Sequence, residues 1–508
     1  MIADSPPWYK VPSLIRLYFL LIAPLLTSTA WGFDLSMTNG LQSVSTFMDN
    51  FGNPTGATLG FFGASMSVGG IVACIVGGPL NDRFGRRALC SAGAAIVAGM
   101  AIMQTFSTNF HMFAGAKLLL GFGSNLQQVA APVLVTELAH PKQRVAISSL
   151  YNTSIYIGLI IGAWITFGTY NMNSQWAWKL PCILQVMLPG YQVLMVWLCP
   201  ESPRWLISKG RIEEARSILI KYHGSGIETD LVKHEMQEII AGIEADKTQF
   251  DLNWNSFKSI IGTKGNRHRL WIGVMTAVGS QSLGGSFVAV YLPQILDQIG
   301  YTSSKEKTLI NGIMSICNWV TSFVAALIIP YVGRRTIFLT STTGMTVTFI
   351  IWTAFTAQYS VDARKSYGLV VLAMIFIYNV FTTICWIPLV IAYPLETVTT
   401  KQRGIFFALT MLCINTAAFV SSYINPIGLD AIGWRYYIPQ CVFNTLFIFI
   451  IYFTFVETKG LTLEEIAVLF DGEESFQDGA VADALAIEKA KHKDQDFSHV
   501  EEIIDSKV

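Results

Sequence analysis

Apolar and polar positions alternate along this chain in long blocks. Six predominantly apolar stretches of about 20 residues lie near 14–36, 58–78, 88–106, 111–134, 147–168 and 177–199. Six more lie near 270–296, 308–330, 336–357, 367–393, 404–425 and 435–456. Each is long enough to cross ~30 Å of hydrocarbon as a helix, the form in which a single segment satisfies its own backbone hydrogen bonds. The pattern predicts an all-α polytopic membrane protein with twelve transmembrane helices. Its parts are an N-terminal segment 1–13, a six-helix bundle 14–199, a helical linker 200–269, a second six-helix bundle 270–456 and a tail 457–508. The linker carries amphipathic helix patterning such as "IEEARSIL". The charged tail reads as a short helix followed by disorder.

Composition sharpens this reading. Only 13% of the 508 residues are charged and 52% are hydrophobic, against about 25% charged in soluble domains. Met1 to Pro12 is polar and the first apolar run is long enough to span, so no cleavable signal peptide is expected. Basic residues set the orientation. Arg83, Arg86, Arg87, Lys142, Arg144, Arg334, Arg335, Lys401 and Arg403 follow spans 2, 4, 8 and 10, against Lys305, Lys307, Arg364 and Lys365 on the other side. Both termini and the linker are therefore expected in the cytoplasm. The cysteines fall in apolar runs and are expected as free thiols. Zero net charge gives no direction on nucleic acid, and no nucleic-acid partner is expected.

The two halves repeat. "DRFGRR" (82–87) follows span 2 and "YVGRR" (331–335) follows span 8. "ELAHPKQR" (137–144) and "ETVTTKQR" (396–403) end spans 4 and 10, each placing Glu and Arg seven apart. "PESPR" (200–204) and "VETKG" (456–460) end spans 6 and 12. Parallel six-helix repeats are a transporter signature, with the binding site near the midplane between halves.

Two charges sit well within the spans. Asp34 lies towards the outer end of span 1 and Lys117 at matched depth in span 4. A carboxylate in hydrocarbon costs at least ~2.5 kcal/mol, so such groups face a polar interior and pair. Burial raises the proton affinity of a carboxylate and a nearby ammonium lowers it. The pair is thus a candidate proton switch, or a structural ion pair.

Over roughly residues 14–470 these motifs together resemble the sugar porter branch of the major facilitator superfamily. The chain is most similar to fungal hexose and disaccharide (lactose permease-like) proton symporters in "APVLVTELAHPKQR" and "VETKGLTLEEI". The resemblance implies the two-bundle major facilitator fold. It also implies charge clusters that hold the cytoplasmic side shut: Glu137, Arg144, Glu396, Arg403, Arg86 and Arg334, with Glu201 and Glu457 as partners, and Asp82 and Arg204 from the same motifs. Pro330 replaces the family's acidic residue before the second "GRR", which predicts a weaker second cluster. Sugar contacts implied by the resemblance are Asn152 in span 5, Gln281 and Ser286 in span 7, Asn318 in span 8 and Asn415 in span 11. Ser280 stands where the family has the first of two glutamines, and Thr416 where it has an aromatic. Proton-coupled members place an arginine where Lys117 stands.

Other readings of these residues stay open. Lone amides in membrane helices also bond helix to helix. Trp386 is either an apolar platform for a sugar or a packing residue, and Tyr291 is either an outer-gate aromatic or an interface-belt tyrosine. The expected function is uptake of a hexose or disaccharide across the plasma membrane with proton symport. A proton-independent facilitator is the alternative, and a non-transporting sensor ranks below both because the tail is short. No metal-ligand cluster, nucleophile motif or phosphate-cradling loop suggests an enzyme, metal or cofactor.

Overall fold

A computed structural model describes residues 8–247, 261–398, 402–461 and 463–471. The disorder expected beyond the tail helix, and the part of 1–13 before residue 8, lie outside the described residues. The first half contains Pro12–Leu41, Gly56–Phe84, Arg86–Thr105, Phe110–Leu138, Arg144–Thr169 and a sixth span from Trp176–Leu184 and Met187–Met195. The second half contains a seventh span from Lys264–Ser282 and Gly285–Gln298, then Ser304–Ile328, Arg334–Asp362, a tenth span from Lys365–Cys385 and Leu389–Glu396, Arg403–Ile432 and Tyr437–Thr454. These are the twelve transmembrane helices of the predicted fold.

Length and hydropathy alone pick out ten membrane-crossing stretches among the described residues. The difference has two causes. One stretch, Arg403–Thr454, is 52 residues long and holds two spans, turning at Gly433, where φ is 57°. Span 7 is missed because it starts on the basic run Lys264–Arg269 and breaks at Leu283–Gly284. Its helix begins at Lys264, inside the linker expected at 200–269. Before it, among the described residues, lie the helices Pro203–Ser208, Ile212–Tyr222 and Asp230–Lys247. They pack through Leu206, Ala215, Leu219, Val232 and Met236.

Span 1 packs mainly on span 5; across the halves, span 2 packs on span 11, span 5 on span 8 and span 1 on the second part of span 7. The second half has a large aromatic core that includes Phe338, Trp352, Tyr378, Trp386 and Phe447. In the first half, a cluster of Phe47, Phe62, Phe113 and Trp178 lies towards the side away from the termini, here the far side. The tail helix Leu463–Asp471 docks on the first turns of span 7. There Arg269, 1% exposed, donates to both Asp471 carboxylate oxygens (3.1 and 2.7 Å) and to the carbonyl of Thr397 (2.9 Å). All eight cysteines are free, four of them buried and four partly buried.

Candidate functional site

Asp34 and Lys117 are both buried, at 1% and 3% exposure. They do not form an ion pair. The physical reason is that each charge has another partner. Gln185, on span 6, donates to Asp34 Oδ1 at 2.9 Å, while Asp34 Oδ2 has no hydrogen-bond partner. Thr38 lies one helical turn beyond Asp34. Its hydroxyl accepts from Lys117 Nζ and donates to the Asp34 carbonyl at 2.8 Å. Lys117 Nζ also lies 4.3 Å from the centre of the Phe62 ring, and a cation over an aromatic face is favoured most where water is excluded. One carboxylate oxygen is thus left without a hydrogen-bond partner in a buried, aromatic-walled site.

Span 7 is broken twice, and both breaks expose backbone. At Gly284, φ is 107°, and an added Cβ would lie 2.7 Å from the Tyr378 hydroxyl, so conformation and space both require glycine. The carbonyls orphaned by this break cannot stay unbonded within a membrane. Ser421 donates to that of Gln281 (3.0 Å), Gln440 to that of Ser282 (2.6 Å) and Tyr378 to that of Leu283 (2.6 Å). Spans 11, 12 and 10 thereby hold the break open and fix Gln281 beside it. Gln281 Nε2 donates to Ser280 Oγ at 3.2 Å. The other predicted amides are distributed over facing spans. Asn152 is exposed on span 5, and Asn318 accepts from Thr383 of span 10 at 3.5 Å. Asn415 Nδ2 reaches across the halves to Asn125 Oδ1 (3.4 Å) and also donates to the carbonyl of Met411 (3.0 Å). The Ser286 side chain lies outside the described residues.

Trp386 is 2% exposed and packs against Phe338 and Phe447, inside the second bundle. Of its two readings, these surroundings support the packing one.

The second break lies at Tyr291, whose φ and ψ of −119° and 23° are not helical, two residues before Pro293. Proline has no N–H for the carbonyl of Ala289. Span 1 satisfies the gap. Asn39 donates to the carbonyls of Val288 (3.3 Å) and Ala289 (3.0 Å), and Gln42 to that of Val290 (2.8 Å). Gln294 donates back to Gln42 at 2.8 Å, and Asn311 of span 8 to Ser36 at 3.4 Å. Tyr291 is fully buried and donates to the carbonyl of Ser422 at 2.5 Å. An added Cβ on Gly63 of span 2 would lie 2.1 Å from that hydroxyl. These contacts close the far side.

On the terminal side the repeated motifs form two clusters built alike. In the first half, Arg86 Nε donates to Glu137 at 3.2 Å, Ser202 Oγ donates to the same carboxylate, and Arg86 Nη1 reaches the carbonyl of Asn81 at 3.5 Å. Glu201 accepts from the backbone N–H groups of Arg86 (3.2 Å), Arg87 (3.2 Å) and Ser202 (2.9 Å). In the second half, Arg334 Nε donates to Glu396 at 3.2 Å, Thr458 to Glu396 at 2.9 Å, and Arg334 Nη1 to the carbonyl of Ile329 at 3.2 Å. Glu457 accepts from the N–H groups of Arg334 (2.6 Å), Arg335, Thr458 and Lys459 (each 3.1 Å). A carboxylate on the N–H groups that open a helix satisfies orphan donors and complements the helix dipole. Burial pushes the Glu201 carboxyl above its ordinary range, opposed by these N–H bonds and the Arg87 charge.

The clusters differ at one position. Asp82 lies 3.7 Å from Arg86, and Pro330 leaves Arg334 without an equivalent partner. Instead Lys459 Nζ donates to the neighbouring carbonyl of Tyr331 at 2.8 Å. Arg204 is exposed on the helix Pro203–Ser208. Arg144 and Arg403 form no ion pair with a described carboxylate, and Arg403 Nε is buried without a hydrogen-bond partner.

Sequence reasoning missed Gln185, Thr38, Asn39 and Gln42. The signal was present, since a lone amide in "PCILQVMLPG" is costly to strand without a partner. What the sequence lacked was the register that aims Gln185 at Asp34.

Residues 20–470 match the family model described as sugar (and other) transporter. The chain is 26% identical over 447 residues to the MFS-type transporter criB of Aspergillus cristatus, covering 88% of this chain and 91% of the relative. It is 26% identical over 463 residues to a low-affinity glucose transporter of Kluyveromyces lactis, covering 87% and 80%. Among solved structures, the inward-open xylose transporter XylE of E. coli superposes with a TM-score of 0.74 at 22% identity, covering 89% of this chain and 100% of that one. The fold, the duplicated motifs and the family match over most of the length agree: this chain belongs to the sugar porter family of the major facilitator superfamily.

Proposed function

We propose that this protein takes up a hexose or disaccharide across the plasma membrane by alternating access, with proton symport, and that both termini lie in the cytoplasm. It acts as a carrier, not an enzyme. The observation that carries the proton step is the Asp34 carboxylate, buried in a span with one oxygen unbonded, with Lys117 held on the Thr38 hydroxyl that donates to the Asp34 backbone carbonyl. A shift of span 4 against span 1 within the first half that brought Lys117 onto that oxygen would favour the ionised form and release a proton. The glucose transporter of Kluyveromyces lactis and the proton:xylose symporter XylE support the substrate class and the coupling by likeness.

In this reading Gln281, Asn318, Asn152 and Asn415, with Ser286, bond the sugar from both halves, and Tyr291 closes the site on the far side. The terminal clusters of Asp82, Arg86, Glu137, Glu201 and Arg204, and of Arg334, Glu396 and Glu457, are satisfied within each half here. Arg144 and Arg403 carry the charge available to reach across when that side closes. A facilitator is the second reading, favoured by the missing contact between Asp34 and Lys117. Uptake of radiolabelled sugar against a gradient, with and without a protonophore, tests the choice: symport predicts loss of accumulation, and a facilitator predicts no accumulation to lose.

A further inference from the structure

Beside the first terminal cluster lies a cleft of about 570 Å³, between the first turn of span 3, the end of span 6 and the helix Ile212–Tyr222. Its two walls differ sharply. One is apolar and faces where the hydrocarbon must end: Phe84, Trp197 and Leu198 are 54%, 51% and 60% exposed. The other is the polar helix face bearing Arg211, Glu214, Ser217 and Lys221, positions three to four apart that share one side of a helix.

The charges in the cleft are unequally spent. Glu201 is occupied by backbone N–H groups and Glu214 by Arg211. Arg87 uses Nη1 on the carbonyls of Trp197 and Cys199 and stacks 4.9 Å from the Trp197 ring centre, leaving the rest of its fork towards the cleft. Lys221 forms no ion pair with a described carboxylate, and Arg16 of span 1 adds its field at Tyr222. The pseudo-equivalent Arg335 stacks likewise on Tyr452, at 5.2 Å, but the helix after span 12 docks on span 7 and forms no second wall. The two-bundle fold therefore does not require the cleft.

From this we infer that the cleft binds the headgroup of an anionic phospholipid of the cytoplasmic leaflet. Its phosphate would lie between Arg87 and Lys221, and its acyl chains along the exposed side of span 6. Aromatic and basic side chains together at a membrane boundary suit this ligand in both charge and apolar character. The leaflet assignment, though not the site, rests on the topology proposed above.

The test uses full-length protein in phosphatidylcholine nanodiscs doped with photoactivatable phosphatidylserine, or with photoactivatable phosphatidylcholine at the same fraction. Phosphatidylserine should label peptides from residues 84–88 and 197–222 at least fivefold more than phosphatidylcholine. Arg87→Gln with Lys221→Gln should remove most of that labelling, while substitution of the exposed Lys233 on the helix Asp230–Lys247, Lys233→Gln, should leave it unchanged. Equal labelling by both lipids, or labelling that survives the double substitution, would overturn the site. Full competition by soluble glycerophosphoserine or inorganic phosphate would assign it to a free anion and overturn the lipid. Both leaflets of a nanodisc are alike and no transport is measured, so the outcome is independent of orientation, sugar and proton.

Discussion

Asn39→Ala should open the far side. In the closed arrangement the Asn39 amide makes two hydrogen bonds across the halves, at 3.3 and 3.0 Å, to carbonyls of the kinked part of span 7. Each is worth about 0.5–1.5 kcal/mol net, and both are lost in any state in which the halves separate there. The substitution also removes an unfavourable group, since Asn39 Oδ1 is buried without a partner. That offset leaves about 1 kcal/mol of bias, or roughly a fivefold change in the ratio of far-closed to far-open molecules. Spin labels on the exposed residues Asn53, in a loop, and Lys305, in the first turn of span 8, one in each half, report that ratio by pulsed electron–electron distance measurement in liposomes. The long-distance population should grow about fivefold relative to the short one. An unchanged distribution, with Gln42→Ala equally silent, would mean that the span 1 amides merely decorate a seal made by packing around Tyr291.

Two further substitutions follow from the same geometry. Glu457→Ala strips four backbone N–H groups of their acceptor, two at the start of span 9 and two after span 12, and should cost about 1.5–3 kcal/mol, read as a lower melting temperature in detergent that sugar does not restore. Gln281→Ala and Asn318→Ala should each weaken sugar affinity by about 1–3 kcal/mol with normal amounts of protein at the membrane, checked by competition binding; unchanged affinity in both would return these amides to interhelical bonding.

Much of this architecture was legible because the membrane enforces it. A run of 20 apolar residues has few alternatives to a spanning helix, and the duplicated "GRR", Glu-to-Arg and "PESPR"/"VETKG" motifs pair the halves in the sequence itself. The terminal clusters reproduce that duplication almost bond for bond, down to Ser202 and Thr458 on Glu137 and Glu396. Less legible was everything that depends on a break in a helix. Gly284 and Pro293 are visible in the sequence, but it does not say which side chains take the freed carbonyls. Those are Tyr378, Gln440 and Ser421 at one break and Asn39 and Gln42 at the other, drawn from distant spans. The same limit explains Asp34. Matched depth pointed to Lys117, and rotation about the helix axes, which hydropathy does not encode, gave the carboxylate to Gln185.

The proposal stands or falls on whether Asp34 carries the proton. One proton moving down ~100 mV supplies ~2.3 kcal/mol, enough for roughly 50-fold accumulation of sugar. Asp34→Asn keeps the size and can still bond Gln185, but cannot titrate. In proteoliposomes with an imposed proton gradient, the substituted protein should exchange sugar down its gradient and fail to concentrate it, while the wild type concentrates sugar and loses that ability with a protonophore. Accumulation by the Asp34→Asn protein equal to the wild type would contradict the account and leave Asp34 a structural partner of Gln185.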